Sequence, residues 1–275
     1  MSKKRRTIVL IAAALIVAAL IPLICLTGGM GGEESIRETM RDAVLHEQNK
    51  VALLSLEVNP GLISALCVTS VLLIAAALIR VLVIPRFRMV PGKLQLLLET
   101  LVGTFDNLAS SNSPHRNGFL GAYIFGAGVY IFVSTLFELF GLQIVTTGGL
   151  SIALPAPLSD INGAIAMGAM SYLVILSGGI VGNGARGVGS TLKEFSLPIS
   201  MSFRLFGAML SGLLVTELVY AYLQLSFVLP VVVAVLFTLL HALIQTYVLT
   251  MLTALFYGEV SEPHARKTKP AIQKG

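Results

Sequence analysis

The sequence predicts an all-α, polytopic membrane protein, and three observations lead there. Charged residues make up 12% and hydrophobic residues 55% of the 275-residue chain, against a charged share of about 25% in soluble domains. The apolar residues are gathered into runs of roughly 20, the length that crosses a bilayer as a helix, and the mean hydropathy is +0.86. Lys and Arg cluster beside these runs, where they set topology by the positive-inside rule. The net charge of +5 therefore builds no basic face for nucleic acid, which is not expected as a partner. Cys25 and Cys67 lack metal-ligand spacing and lie in apolar stretches, so they read as inert packing residues. No metal and no cofactor are expected.

Residues 1–58 form a first unit. MSKKRR and the apolar run 8–26 are a signal anchor or a cleaved signal peptide; the uncleaved anchor is favoured because no A-x-A site follows. In both cases the basic head stays inside and the polar segment 33–59, with its helix-like EESIRETMRDAVLHEQ, is exported. His46 has no second ligand near it and reads as a surface residue. Residues 59–264 are the membrane domain, and 265–275 are a basic tail.

The span 61–84 ends in Arg80, Arg86 and Arg88 and so runs inward. After Pro91 and Gly92, the residues Leu94, Leu97, Leu98, Leu101, Val102, Phe105 and Leu108 fall at steps of three and four over 93–109. That spacing, with Gln95, Glu99, Asp106 and Asn107 between, suits an amphipathic helix lying in the interface. The span 118–145 returns outward and carries Glu138, and a loop without Lys or Arg leads to Asp160 and Asn162. The span 162–181 then crosses inward, and the Gly-rich GNGARGVGSTLKEF reads as a flexible inner loop. It has no GK[ST] ending and no preceding strand, so it is not a phosphate loop. The last two spans, 197–222 and 230–257, exceed what an upright crossing needs. Six spans result, or five if the first is removed.

The chain is organised around SLPISMSFRLFGAMLSGLLVTELVYAY, which places Arg204 and Glu217 inside an apolar run. A charge at mid-membrane costs between about 3 and 15 kcal/mol, so Arg204 requires a partner or a wet path. Guanidinium stays charged at any accessible pH, which a buried lysine does not. Ser200, Gly207, Ala208, Ser211 and Gly212 add a ridge of small side chains that admits a close helix. On the last span Thr238, His241 and Gln245 fall on one face.

The run Ser200-Met-Ser-Phe-Arg204-Leu-Phe-Gly207-Ala-Met209-Leu-Ser-Gly212 resembles the SLxLRLFGNMxxGE signature of subunit a of F-type ATP synthases. QTYVLTMLTALFYGEVSEPH, from Gln245 to His264, is similar to that family's last helix and tail. Weaker matches follow in the right order at Val90 to Glu99 and at Ser159-Asp160-Ile-Asn162. The resemblance implies a non-catalytic stator channel in the Fo sector of a bacterial inner membrane, with the C-terminus cytoplasmic. Its implied partners are a c-ring, against which the two long helices lie tilted, the subunit b peripheral stalk, F1 indirectly, and lipid.

The resemblance further implies an essential arginine, Arg204, positioned by Gln245 and separating two half-channels for an ion, most simply the proton. Asp160, Asn162, Glu217 and His241 are expected on the outer path, Ser200 beside the arginine, and Glu194, Tyr257 and Glu259 toward the inside; Glu138, where the family usually has asparagine, is a further candidate for ion entry that the resemblance does not supply. Ala208 and Leu213 stand where the family has asparagine and glutamate, and Glu217, one turn later, is read as the replacement carboxyl. The alternative is a secondary ion-coupled transporter, which would show internal repeats that this sequence lacks. A membrane hydrolase would need a GxSxG or HExxH motif, and neither occurs.

Overall fold

The computed structural model describes residues 51–53, 56–115, 117–145, 151–221 and 229–263. The expected first span, most of the exported segment, the turn after residue 221 and the basic tail lie outside them. A small antiparallel hairpin, β1 (Val51–Leu53) and β2 (Leu56–Val58), precedes the first long helix. Asn59 starts that helix, α1 (Pro60–Leu78): its side chain accepts from the Gly61 N–H at 2.9 Å, and Pro60 brings a preset φ to the first turn. The helix passes into a π turn at Ile79–Val83 and a 3-10 turn at Ile84–Arg86, where Pro85 has no N–H with which to continue an α-helix.

The amphipathic pattern forms α2 (Lys93–Asn112) and the next apolar run forms α3 (Gly118–Phe137). A 3-10 turn, Glu138–Phe140, is closed by Gly141 at φ 56°, a left-handed conformation that favours glycine. The outer loop then folds as a second hairpin, β3 (Gln143–Val145) with β4 (Ser151–Ala153). Helix α4 (Ile161–Asn183) follows a 3-10 turn at Pro157–Ser159. The chain ends in α5 (Ala185–Lys193), α6 (Ser196–Ala221) and α7 (Leu229–Ser261).

Helices α3, α4, α6 and α7 pack on one another around Leu120, Ile124, Ile131, Ile175, Met201, Leu205 and Leu249. Gly258 of α7 allows a close approach of two helices, since a Cβ there would overlap the Asn112 carbonyl at the end of α2. The two ends of the bundle differ in charge. At one end Asn183 Nδ2 donates to the carbonyls of Val260 and Glu262, and His115 Nε2 lies 2.8 Å from Ser261 Oγ. Apart from Arg204, every described Lys and Arg belongs to this end: Arg80, Arg86, Arg88, Lys93, Arg186 and Lys193. At the opposite end Gly61 of α1 packs against Asp160 at the start of α4. The chain therefore crosses between the two ends five times within the described residues, through α1, α3, α4, α6 and α7.

Four described segments are long and apolar enough to cross a membrane: Pro60–Arg86, Gly118–Phe140, Ile161–Asn183 and Val235–Ser261. Helix α6 adds a 26-residue helix that carries the two internal charges. The all-α multi-pass expectation holds, with three local corrections. The outer loop contains a hairpin, because Gly141 stops the helix before 143–145 can extend it. The Gly-rich inner loop is largely helical, because Gly184 at φ 58° turns the chain so that Gly187 packs on Gly179. Cys67 is exposed on α1 and not packed inside.

Candidate functional site

Arg204 lies two turns into α6, and the helix turns it outward. Ser200, Arg204, Gly207 and Ser211 recur at i, i+4, i+7 and i+11, so they share one stripe. Ser200, Arg204 and Ser211 are exposed, and among the described residues no neighbouring element stands within 4 Å of a Cβ built on Gly207. The Ser211 hydroxyl donates to the Gly207 carbonyl at 2.7 Å, which turns its polarity back onto its own helix. Among the described residues no hydrogen bond or ion pair holds the Arg204 guanidinium. Ile199 and Phe203 flank the stripe, and Leu236, Leu240, Leu243 and Tyr247 present an exposed row on α7 at the same spacing.

On the adjoining side of α6, Ala208, Met209 and Gly212 meet Thr135 and Glu138 from the end of α3 and Thr238 and His241 of α7. These seven residues line a small, partly open crevice with room for about one water molecule. It sits toward the less basic end, at the level where α3 stops. Ala208 is four residues beyond Arg204, which is about 6 Å of helix rise and about 40° of rotation. The floor of the crevice is thus one turn from the guanidinium, on the neighbouring face.

The imidazole of His241 is fixed in one direction. Its Nδ1 lies 2.8 Å from the Phe237 carbonyl one turn back, and the Phe237 and His241 rings stack with centroids 5.8 Å apart. A carbonyl can only accept, so Nδ1 carries the hydrogen and Nε2 is the atom that can take up a proton. Glu138, half-buried on the opposite wall, supplies a carboxyl to the same space. It stands at the very end of its span, as the first residue of the 3-10 turn, and not at mid-membrane depth.

Other sequence-predicted residues occupy different places. Gln245 is 6% exposed and points into the bundle, whereas Arg204 points out of it; no hydrogen bond joins them among the described residues. Asp160 and Asn162 come together but away from the crevice lining. The Asp160 carboxylate accepts from the Asn162 N–H at 2.9 Å and from Asn162 Nδ2 at 3.1 Å, capping α4. Glu217 belongs to α6, and its side chain lies outside the described residues. Glu194 and Glu259 are exposed at the basic end, and Tyr257 is buried there against Gly178. Thr135 was missed by sequence reasoning; its only signal was its place one turn before Glu138 on α3. Among the described residues no group of three His, Cys, Asp or Glu side chains is arranged to hold a metal.

Comparison with known proteins bears on the same helices. The chain is 27% identical over 208 residues to the ATP synthase subunit a of Cereibacter sphaeroides, covering 71% of this chain and 79% of that protein. It is 27% identical over 199 residues to the ATP synthase subunit a of Histophilus somni, covering 61% of this chain and 73% of the relative. The profile described as ATP synthase A chain matches residues 64–258, which takes in α1 to α7 almost whole. With the match extending over most of the chain and through the Arg204 helix, this chain belongs to the ATP synthase A chain family, the subunit a of F-type ATP synthases.

Proposed function

We propose that Arg204 is the fixed charge at which this chain, a proton-translocating stator subunit of the Fo sector, meets the ionisable carboxyls of a rotating c-ring. The single observation that supports this best is the exposed stripe Ser200, Arg204, Gly207, Ser211 within an apolar face. Hydrocarbon would leave the guanidinium unpaired at a cost of several kcal/mol. A partner helix carrying a carboxyl would instead pair with it, and the small side chains would let that helix come close.

The mechanism follows from charge and position. Arg204 holds each facing carboxyl in its ionised form by opposite-charge attraction, so a proton arriving on the ring is released as the carboxyl reaches the arginine. A carboxylate cannot turn out into lipid cheaply while ionised, so it must be loaded again first. Loading takes place from the crevice, where Glu138 and His241 Nε2 receive protons from the side opposite the basic end and pass them on one turn away from Arg204. Glu217 further along α6 belongs to the same outer path. Asp160 and Asn162 hold the mouth in shape by capping α4. The basic end, which the positive-inside rule places in the cytoplasm, carries the exit near Glu194, Tyr257 and Glu259. Gln245, buried on α7 and turned away from Arg204, acts on the charge only through the packing of α7 against α6. Each charge crossing 100 mV releases about 2.3 kcal/mol; the chain converts that flow to torque and performs no ATP chemistry. The membrane is a bacterial inner membrane, and subunit b is the peripheral-stalk partner.

The test is ATP-driven proton pumping in inverted vesicles. Arg204→Ala and Arg204→Lys abolish pumping while the complex still assembles. Normal coupled pumping by Arg204→Lys would remove both the permanent charge and the planar fork from the mechanism.

A further inference from the structure

The elbow between α1 and α2 carries an apolar tip inside a cationic collar. Phe87, Met89 and Val90 project from it, Val90 with 84% of its surface exposed and Met89 fully so. Arg86, Arg88 and Lys93 flank the tip along the chain and Arg80 stands further back in the π turn, all four exposed, and no Asp or Glu occurs between residues 58 and 98. Among the described residues none of the four is in an ion pair. The elbow is nonetheless held in one shape. The Gln95 side chain accepts from the Arg88 N–H and donates to the Arg88 carbonyl, each at 3.0 Å, and donates to Glu99 at 2.7 Å. Beyond it, Leu94, Leu97 and Leu101 form an exposed row at i, i+3 and i+7 on α2. The other end of α2 is fixed to the bundle where Asn112 meets Gly258.

A topology signal needs only the charges; it needs neither a fully exposed apolar tip between them nor a side-chain clamp on the loop. An apolar wedge ringed by unpaired cations is the complement of a bilayer surface with acidic headgroups: the wedge takes the acyl region and the cations take the phosphates. We infer that the α1–α2 elbow is a docking site for anionic phospholipid in the leaflet at the basic end of the bundle. The site is independent of the ion path, because none of its residues lines the crevice or the Arg204 stripe.

The assembled complex, reconstituted in phosphatidylcholine bilayers, is given equal trace amounts of photoactivatable phosphatidylglycerol or photoactivatable phosphatidylcholine, and adducts on residues 81–99 are mapped by mass spectrometry. A cation at an acidic surface contributes about five-fold in partition, so phosphatidylglycerol adducts exceed phosphatidylcholine adducts at least five-fold. The combined change Arg86→Gln, Arg88→Gln, Lys93→Gln brings the ratio close to one. Arg86→Lys with Arg88→Lys keeps it. Should the neutral variant fail to insert, the unaltered complex in about 1 M salt provides the same reading, because screening removes the collar's attraction and lowers the ratio. Equal labelling by the two lipids in the unaltered chain overturns the inference. So does a ratio that neither the neutral variant nor salt reduces.

Discussion

Asp160 separates a structural role from a transport role, and the two predict opposite rankings of its variants. Its carboxylate accepts two hydrogen bonds from Asn162 at the first turn of α4, and it is 9% exposed. Asparagine caps a helix about as well as aspartate, so Asp160→Asn should leave stability within about 0.5 kcal/mol and pumping nearly intact. Asp160→Ala removes the cap and leaves a partly buried N–H unsatisfied, at about 1 to 2 kcal/mol. That predicts roughly a five- to thirty-fold shift in the unfolding equilibrium, since about 1.4 kcal/mol is ten-fold. Gly61→Ala tests the same joint from the other side, because its Cβ would stand 2.9 Å from Asp160 Cβ. The assays are equilibrium unfolding of the purified chain in mixed detergent and pumping in vesicles. If Asp160→Asn stopped pumping while leaving the unfolding curve in place, Asp160 would be titrating in the ion path and the cap argument would be refuted.

Glu138→Gln should slow proton pumping roughly a hundred-fold, the lower range for loss of a positioned proton-transfer group, with assembly unchanged; an undiminished rate would move the outer path to Glu217. Thr238→Cys, in a chain with Cys25 and Cys67 replaced by alanine, should react with a membrane-impermeant thiol reagent only from the side opposite the basic end, and Glu259→Cys only from the basic side. Equal labelling of position 238 from both sides would mean one continuous pore. Gly258→Val should prevent stable assembly, seen as loss of the chain from membranes, because backbone stands where the new side chain must go; normal levels would show that α2 can leave α7.

The five crossing helices were legible in the sequence because each needs about 20 apolar residues and the runs are that long. Helix α2 was legible from the spacing of Leu94 to Leu108. The hairpin after Gly141 was not, since three-residue strands pair through partners a loop apart and leave no local period. Nor was α5, whose glycines read as flexibility; Gly187 is there to meet Gly179 of another helix, a contact that no local pattern announces. Arg204 stood out as a cation in an apolar run. The crevice did not, because Thr135 and Glu138 reach it from α3 and His241 from α7, and only packing brings them together. The expected meeting of Arg204 with Gln245 rests on the family resemblance and on the shared face of Thr238, His241 and Gln245. Facing direction also matters, and here one side chain turns outward and the other inward.

That difference of direction bears on how a proton is kept from passing straight through. A histidine conducts along its own axis only when one ring nitrogen takes a proton while the other releases one. In this chain Nδ1 of His241 is tied to the Phe237 carbonyl, so uptake and release both occur at Nε2. In the proposed mechanism the imidazole would then act as a loading post that hands a proton back into the space from which it came, with no relay through the ring toward the basic end. Among the described residues no carboxyl stands a turn lower on the outward face, so in the proposed mechanism the acceptor there is a carboxyl of the partner ring beside Arg204. A free proton continuing along α6 would have to pass a guanidinium that never loses its charge. Crevice and arginine thus stand about 6 Å apart along the helix, close enough for a moving carboxyl to visit both. They are separated by a fixed cation that a proton alone does not cross, and on this reading the rotation of the partner becomes the only route between the two sides.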